Sequence, residues 1–82
     1  MQEAAIPVQY GSLIGSRLRE LRLSHGLSQE AVAAALGTRQ THVSRWELGV
    51  NKPELGMLGR LADLYSTTLD YIVLGRGPGI AA

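Results

Sequence analysis

Two short helices joined by a tight connection are indicated by the stretch Gln29-Glu-Ala-Val-Ala-Ala-Ala-Leu-Gly-Thr-Arg-Gln-Thr-His-Val-Ser-Arg-Trp-Glu-Leu48. Ser28, just before it, is a favourable N-cap because its hydroxyl can accept from the free backbone N–H groups of a helix start. Gly37 and the residue after the stretch, Gly49, readily adopt the left-handed conformation in which helices end. The pattern predicts helix two from Gln29 to Leu36 and helix three from Gln40 to Leu48.

These two helices must touch closely, because a short connection makes them cross at a wide angle. The facing residue therefore has to be small, and Ala33 is placed for that role. Four apolar side chains close the contact and dock the pair on the other helices: Val32, Leu36, Val43 and Trp46. A glycine-containing turn between two short helices is a helix-turn-helix, the motif whose second helix enters the major groove of DNA.

A first helix precedes this pair. Ile14, Leu18 and Leu21 recur at i, i+4 and i+7, the spacing of one apolar helix face. Ser12 is the predicted N-cap, and residues 1–11 are predicted to form an N-terminal arm. The glycines of 11–15 lack the lysine and the strand of a phosphate-binding loop, so this segment is predicted to be a turn or tail.

Two further helices follow it. Leu58, Leu61, Ala62 and Tyr65 predict helix four over 54–65, with two internal glycines that each cost about 1 kcal/mol relative to alanine. Either a neighbouring backbone approaches those glycines or the first turn is weak. A short helix five is predicted over 69–74, capped by Thr67 or Thr68, and residues 75–82 form a flexible tail. The prediction is one all-α domain over 12–74, a compact bundle of five helices.

Composition narrows the function classes. The 82 residues carry a net charge of +1, and six basic residues face only three acidic ones between positions 12 and 52. That half of the chain can face a polyanion, although ordinary solvated charge explains it equally well. There is no cysteine, no apolar run long enough for a membrane span and no basic start typical of a signal peptide. We expect a cytoplasmic protein with no membrane association, no metal, no cofactor and no small-molecule ligand.

The same residues resemble a known family. Leu27-Ser-Gln-Glu-Ala-Val-Ala33, Leu36-Gly37, Val43-Ser-Arg-Trp-Glu47, Gly49 and Pro53 closely resemble the Cro/phage-repressor (XRE) helix-turn-helix family, and the likeness extends over 14–74. The resemblance implies a DNA-binding domain in which Gln40, Thr41 and Arg45 meet base edges. It also implies that Gln29 contacts a phosphate and braces the base-reading side chains, and that four residues touch the DNA backbone: Arg39, His42, Asn51 and Lys52.

Two positions have a structural meaning in this family. Members that carry Arg22 and Glu47 bury a salt bridge between helix one and the end of the recognition helix. Arg39 departs from the pattern, because members usually have serine or threonine there as N-cap of the recognition helix. Arginine cannot accept from backbone N–H groups, so the cap is lost unless Thr38 replaces it. We interpret Arg39 as a residue selected for DNA contact.

The function that follows is a sequence-specific transcriptional regulator, repressor-like, bound as a homodimer to a palindromic operator. Four apolar residues either form the dimer face or complete the core: Leu64, Tyr71, Ile72 and Val73. One alternative is a protein-interaction module that keeps the fold. Another, within DNA binding, is an antitoxin or a restriction–modification controller. No catalytic residue is predicted, since neither a nucleophile elbow nor a triad pattern occurs.

Overall fold

A computed structural model of the protein describes residues 9–77. Most of the predicted N-terminal arm and of the predicted C-terminal tail lies outside these residues. The described chain forms four α-helices and a short π-helical segment, and it contains no strand. The elements are α1 (Gln9–Ser24), α2 (Gln29–Leu36), α3 (Gln40–Leu48), α4 (Leu55–Leu64) and the π-segment (Asp70–Leu74). The all-α prediction with five helices is confirmed.

Local capping fixes the ends of α2 and α3. The Ser28 hydroxyl accepts from the backbone N–H of Ala31 at 3.0 Å. Gly37 ends α2 at φ +68°, and Gly49 ends α3 at φ +78°, both in the left-handed region. The backbone N–H groups that follow close each helix, such as Thr38 N–H donating to the Ala33 carbonyl at 2.9 Å. Both helices have the bounds that the sequence predicts.

The first helix begins earlier than predicted. It starts at Gln9, and the predicted cap, Ser12, lies inside it. The N-cap preference of a serine is a local effect of about 1 kcal/mol, so it does not prevent another helical turn from forming ahead of it. The prediction of a turn or tail over 11–15 is therefore wrong, because α1 runs through this segment.

A single core joins the helices. It contains one face of α1, the inner faces of α2 and α3, the stripe of α4 and one residue of the π-segment. Trp46 is only 9% exposed, so its indole belongs to the core. The buried apolar residues are Ile14, Leu18, Leu21, Val32, Ala33, Leu36, Val43, Trp46, Leu58, Leu61, Ala62, Tyr65 and Ile72.

Gly15 allows α1 to lie directly against the end of α3. A Cβ at this position would lie 2.5 Å from the Trp46 carbonyl oxygen and 2.6 Å from that of Glu47. Real Cβ atoms do not approach backbone oxygens so closely, so any side chain here forces the two helices apart.

The two glycines of α4 differ from Gly15. A Cβ on Gly56 would meet only the Glu54 carboxylate at 3.6 Å, and one on Gly59 would meet nothing within 4 Å. The prediction that a neighbouring backbone approaches these two glycines is therefore wrong, and the alternative, a weak first turn of the helix, remains.

The π-segment docks on α1. Thr68 caps it, since the Thr68 hydroxyl accepts from Tyr71 N–H at 3.1 Å. At its other end the Arg17 guanidinium donates to the carbonyls of Ile72 and Val73 at 3.1 and 3.2 Å. A cation at the C-terminal end of a helix also interacts favourably with the partial negative charge of the backbone dipole there. Arg17 thus helps to hold the fold together, although from the sequence it is only one of the six basic residues between positions 12 and 52.

The predicted dimer face is wrong at one of its four residues, Ile72. It is 0% exposed in the monomer, so it completes the core and cannot contact a second chain. The other three members are half-buried against the core. Leu64 lines a groove with Leu36 and Arg60, whereas the Tyr71 hydroxyl donates to Glu20 of α1 at 3.4 Å.

None of the helices in residues 9–77 has the length and apolar surface that a membrane span requires.

Gly15→Ala is predicted to destabilise the fold by about 1–3 kcal/mol, the usual effect of overpacking. Gly59→Ala is the matched control, because the same methyl group meets open space and alanine is the better helix former. It should stabilise the protein by up to about 1 kcal/mol. Urea unfolding followed by circular dichroism measures both. Equal effects of the two substitutions would contradict the close α1–α3 approach.

Candidate nucleic-acid interface

The outer face of α3 carries a continuous surface of mostly polar side chains. Thr41, Ser44, Arg45 and Leu48 follow one another at i, i+3, i+4 and i+7, so they share one side of the helix. Together with Gln40 and Val50 they line a shallow open groove. The structure therefore brings the three predicted base readers, Gln40, Thr41 and Arg45, onto one surface.

Three residues of this surface are absent from the sequence-based prediction. Ser44 lies between Thr41 and Arg45 and is partly exposed, while Leu48 and Val50 are 70% and 62% exposed. The helical spacing from Thr41 identifies Ser44 and Leu48. Val50 follows the end of α3, so no periodic signal in the sequence marks it.

Gln40 is held by hydrogen bonds, unlike the rest of the surface. Its Nε2 donates to Gln29 Oε1 at 2.6 Å, and Gln29 Nε2 donates to Glu47 Oε1 at 3.0 Å. Gln29 is the first residue of α2, so the start of α2 is joined both to the start of α3 and to its end. The structure thus shows the contact by which Gln29 braces Gln40.

The scaffold behind this contact is a buried ion pair. Arg22 of α1 donates from Nε to Glu47 Oε2 at 2.7 Å and from Nη2 to Glu47 Oε1 at 3.0 Å. A third donor, Nη1, reaches the Leu27 carbonyl at 3.0 Å. The hydrogen bond to Glu47 raises the pKa of Arg22, against the opposing effect of burial. The side chain of Glu47 is 3% exposed, so its charge depends on these donors and not on water.

Tyr65 lies close enough to the Arg22–Glu47 ion pair for both charges to affect the pKa of its phenol. It is 1% exposed, and its ring packs against His25 with centroids 5.5 Å apart. Burial raises the pKa of the Tyr65 phenol to about 12; the Glu47 carboxylate adds to the rise and the Arg22 guanidinium opposes it. The phenol is consequently held neutral well beyond its ordinary range.

The flanking residues lie around the start of α3 and beyond its end. Arg39 occupies the N-cap position with extended backbone, and its side chain makes no cap hydrogen bond. Thr38 does not replace it, because its hydroxyl is bonded to His42 Nδ1 at 2.7 Å. The His42 ring in turn stacks on Trp46, with centroids 6.5 Å apart. Arg39, His42, Asn51 and Lys52 are all exposed.

Comparison with known proteins agrees with this geometry. A family model described as "Helix-turn-helix" matches residues 18–72, which include all of α2, α3 and α4. The chain belongs to the Cro/phage-repressor (XRE) helix-turn-helix family. The match begins inside α1 and ends in the π-segment, so this XRE-type domain includes the buried apolar residues of the core other than Ile14.

Several curated proteins resemble it. The "Uncharacterized HTH-type transcriptional regulator YobD" of Bacillus subtilis (strain 168) is 39% identical over 57 residues, 70% of this chain and 51% of that protein. The "HTH-type transcriptional regulator AnsR" of the same organism is 40% identical over 60 residues, 73% and 51% of the two chains. The "HTH-type transcriptional activator BcrR" of Enterococcus faecalis is 32% identical over 60 residues, 73% and 29%. The chain thus spans about half or less of the length of these relatives.

Tyr65 gives the XRE-type domain a predicted stability loss at high pH. The folded state holds the phenol proton up to about pH 12, while an unfolded tyrosine releases it near pH 10. Unfolding is therefore favoured as pH rises from about 10 to 12, by up to about 1.4 kcal/mol per pH unit, and the contribution is constant below about pH 10.

Urea unfolding at pH 8, 10 and 11.5 checks this, with Tyr65→Phe as the control that lacks the phenol. The free energy of unfolding of the wild type should fall more steeply above pH 10 than that of Tyr65→Phe. Parallel losses in the two proteins would show that other groups cause the decline.

Proposed function

We propose that this chain is a sequence-specific double-stranded DNA-binding transcriptional regulator that inserts α3 into the major groove. The observation that carries the proposal is the outer α3 surface of Gln40, Thr41, Ser44 and Arg45, in which Gln40 is held through Gln29 on the buried Glu47 carboxylate. Such support favours base discrimination by Gln40, because a side chain held in place before binding selects its partner better. Membership of the XRE family and the regulator names of the relatives support the same conclusion.

The chemistry of the surface suits base edges. A glutamine pairs with the N6 and N7 of adenine, an arginine pairs with the O6 and N7 of guanine, and a threonine methyl packs on the thymine methyl. We assign these roles to Gln40, Arg45 and Thr41. Phosphate contacts fix the position of the protein without reading sequence, and we assign them to Gln29, Arg39, His42, Asn51 and Lys52.

Binding as a homodimer fits an operator with two-fold symmetry. Two copies of α3 would enter successive major grooves about 34 Å apart. Leu64, Tyr71 and Val73, which are half-buried in the monomer, remain the proposed dimer face. We propose repressor-like action, because a bound dimer blocks access to the DNA that it covers. The protein would act by binding DNA, without catalysis. We place it in the cytoplasm, because that compartment holds the genome in bacteria such as Bacillus subtilis, the source of two of its relatives.

A protein-interaction module remains the second candidate function. Leu48, Val50 and Leu55 are 70%, 62% and 73% exposed, and exposed apolar side chains suit a protein partner. The two functions differ in their dependence on salt. Neutralised phosphates release counterions, so about six of them give a log–log salt slope of about −5 for DNA binding.

Selection of bound sequences from a random DNA pool tests the proposal. We expect a palindrome whose half-sites lie about 10 base pairs apart, and a slope of about −5 when the salt is varied in a fluorescence-anisotropy titration. In Arg45→Ala, one base pair of each half-site should lose its preference, a discrimination loss of about 1–3 kcal/mol. Equal weakening on all sequences would make Arg45 a phosphate contact, and a flat salt dependence would count against DNA binding.

Arg39→Ser tests the departure from the family pattern. Serine restores the N-cap of α3, so the free energy of unfolding should rise by about 1 kcal/mol. Removal of the guanidinium should weaken binding to operator and random DNA together, and reduce the magnitude of the salt slope by about 1 for each phosphate that is no longer neutralised. Thermal melts and anisotropy titrations measure the two effects. Unchanged affinity with raised stability would contradict the assignment of Arg39 to DNA contact.

A further inference from the structure

We propose that Glu47 is a positioning residue for base recognition: acting through Gln29, it fixes which end of the Gln40 carboxamide is presented to the DNA. The proposal rests on the function proposed above and adds to it a residue that touches no base. From the sequence, Glu47 has only a structural role as the partner of Arg22. The structure gives its carboxylate a second partner, Gln29, on the side toward the reading surface.

The starting point is a group that can only accept hydrogen bonds. The Glu47 carboxylate paired with Arg22 offers oxygens alone. The Gln29 side chain lies 3.0 Å from Glu47 Oε1, so the atom that faces Glu47 has to be its Nε2. The opposite orientation would place two oxygens against each other at that distance.

The orientation then passes from Gln29 to Gln40. With Nε2 turned toward Glu47, the Gln29 carboxamide turns Oε1 toward α3. The Gln40 atom 2.6 Å from that oxygen has to be a donor, which is its Nε2. One N–H of Gln40 is used in this bond. The other N–H and the Oε1 acceptor remain for a base, in an order set by Glu47.

Burial makes this order robust. The Glu47 side chain is 3% exposed, so water does not compete for its oxygens, and Arg22 occupies the rest of the carboxylate with two donors. Gln29 and Gln40 are both partly buried. Hydrogen bonds shielded from water are stronger, and consecutive bonds polarise one another.

The fixed order has a consequence for base choice. Adenine presents a donor, N6, beside an acceptor, N7, and guanine presents two acceptors. A carboxamide with one N–H and one oxygen in fixed positions pairs with both atoms of adenine but meets guanine O6 with an oxygen. A carboxamide free to turn can offer its N–H groups to either base. Glu47 thus contributes to specificity by preventing that rotation.

The test compares base preference at two positions of the selected operator. The pair read by Gln40 is the one whose preference disappears in Gln40→Ala, and the pair read by Arg45 is found in the same way. Gln29→Leu interrupts the hydrogen-bonded link but leaves the Arg22–Glu47 ion pair intact. We expect the preference at the Gln40 pair to fall about five- to ten-fold and that at the Arg45 pair to change by less than about two-fold.

Glu47→Gln is the second variant. A carboxamide at position 47 can turn either its oxygen or its NH2 toward Gln29, so the order is no longer imposed, and the same pair should lose preference. Ile72→Val is the stability control, because it trims a core side chain of the π-segment, which docks on α1. It should lower the melting temperature and leave both preferences unchanged.

The outcomes separate the two proposals. If wild-type protein selects no sequence and binds with no salt dependence, the proposed function fails and this inference fails with it. If the wild type selects an operator and Gln40→Ala relaxes one pair, but Gln29→Leu and Glu47→Gln keep that preference, DNA binding stands and the positioning role of Glu47 is overturned. A loss in Ile72→Val equal to that in Glu47→Gln would also overturn it, since stability alone would then explain the effect.

Discussion

The Glu47 carboxylate is buried between three helices and accepts hydrogen bonds from Arg22 and Gln29. An isolated charge inside a protein is strongly destabilising, so burial at 3% exposure requires donors in fixed places. Arg22 supplies two of them from α1, and Gln29 supplies one from α2. The satisfaction of one side chain therefore sets the mutual positions of three helices. Gly15 permits the arrangement, because only a residue without Cβ lets α1 come close enough to the end of α3.

The same constraint separates the parts of the molecule that hold the fold from those that face outward. Arg17 and Arg22 both belong to the basic half of the sequence, yet both are committed to contacts within the chain, with the π-segment and with Glu47. Arg39, Arg45 and Lys52 are exposed and leave their charge available to a polyanion. The local excess of positive charge is thus smaller on the surface than in the sequence. Electrostatic attraction of DNA rests on few residues, and each one carries a larger share of it.

The sequence predicts the parts of this fold that are set by local chemistry. The bounds of α2 and α3 follow from Ser28, Gly37 and Gly49, whose capping preferences operate within a few residues. The role of Gly15 is not predictable in this way, because its reason is a backbone contact with residues 46 and 47. Ile72 shows a related limit. A run of apolar residues identifies a packed segment, but the docking of that segment on α1 decides which of them is buried.

The candidate interface shows the same division between local pattern and long-range contact. Helical spacing identifies the side of α3 that faces outward, including Ser44, but it does not show that Gln40 is braced and Arg45 is not. Within residues 9–77, the structure gives the Arg45 side chain no hydrogen bond or ion pair, whereas Gln40 is tied to Gln29. In the proposed complex Arg45 would therefore lose side-chain entropy on pairing with a base, up to about 2 kcal/mol, whereas Gln40 has lost much of it on folding. Under the proposed function, Gln40 would be a preformed base contact and Arg45 one that adapts on binding. The difference arises because Gln40 is linked through Gln29 to the buried Glu47 carboxylate and Arg45 is not.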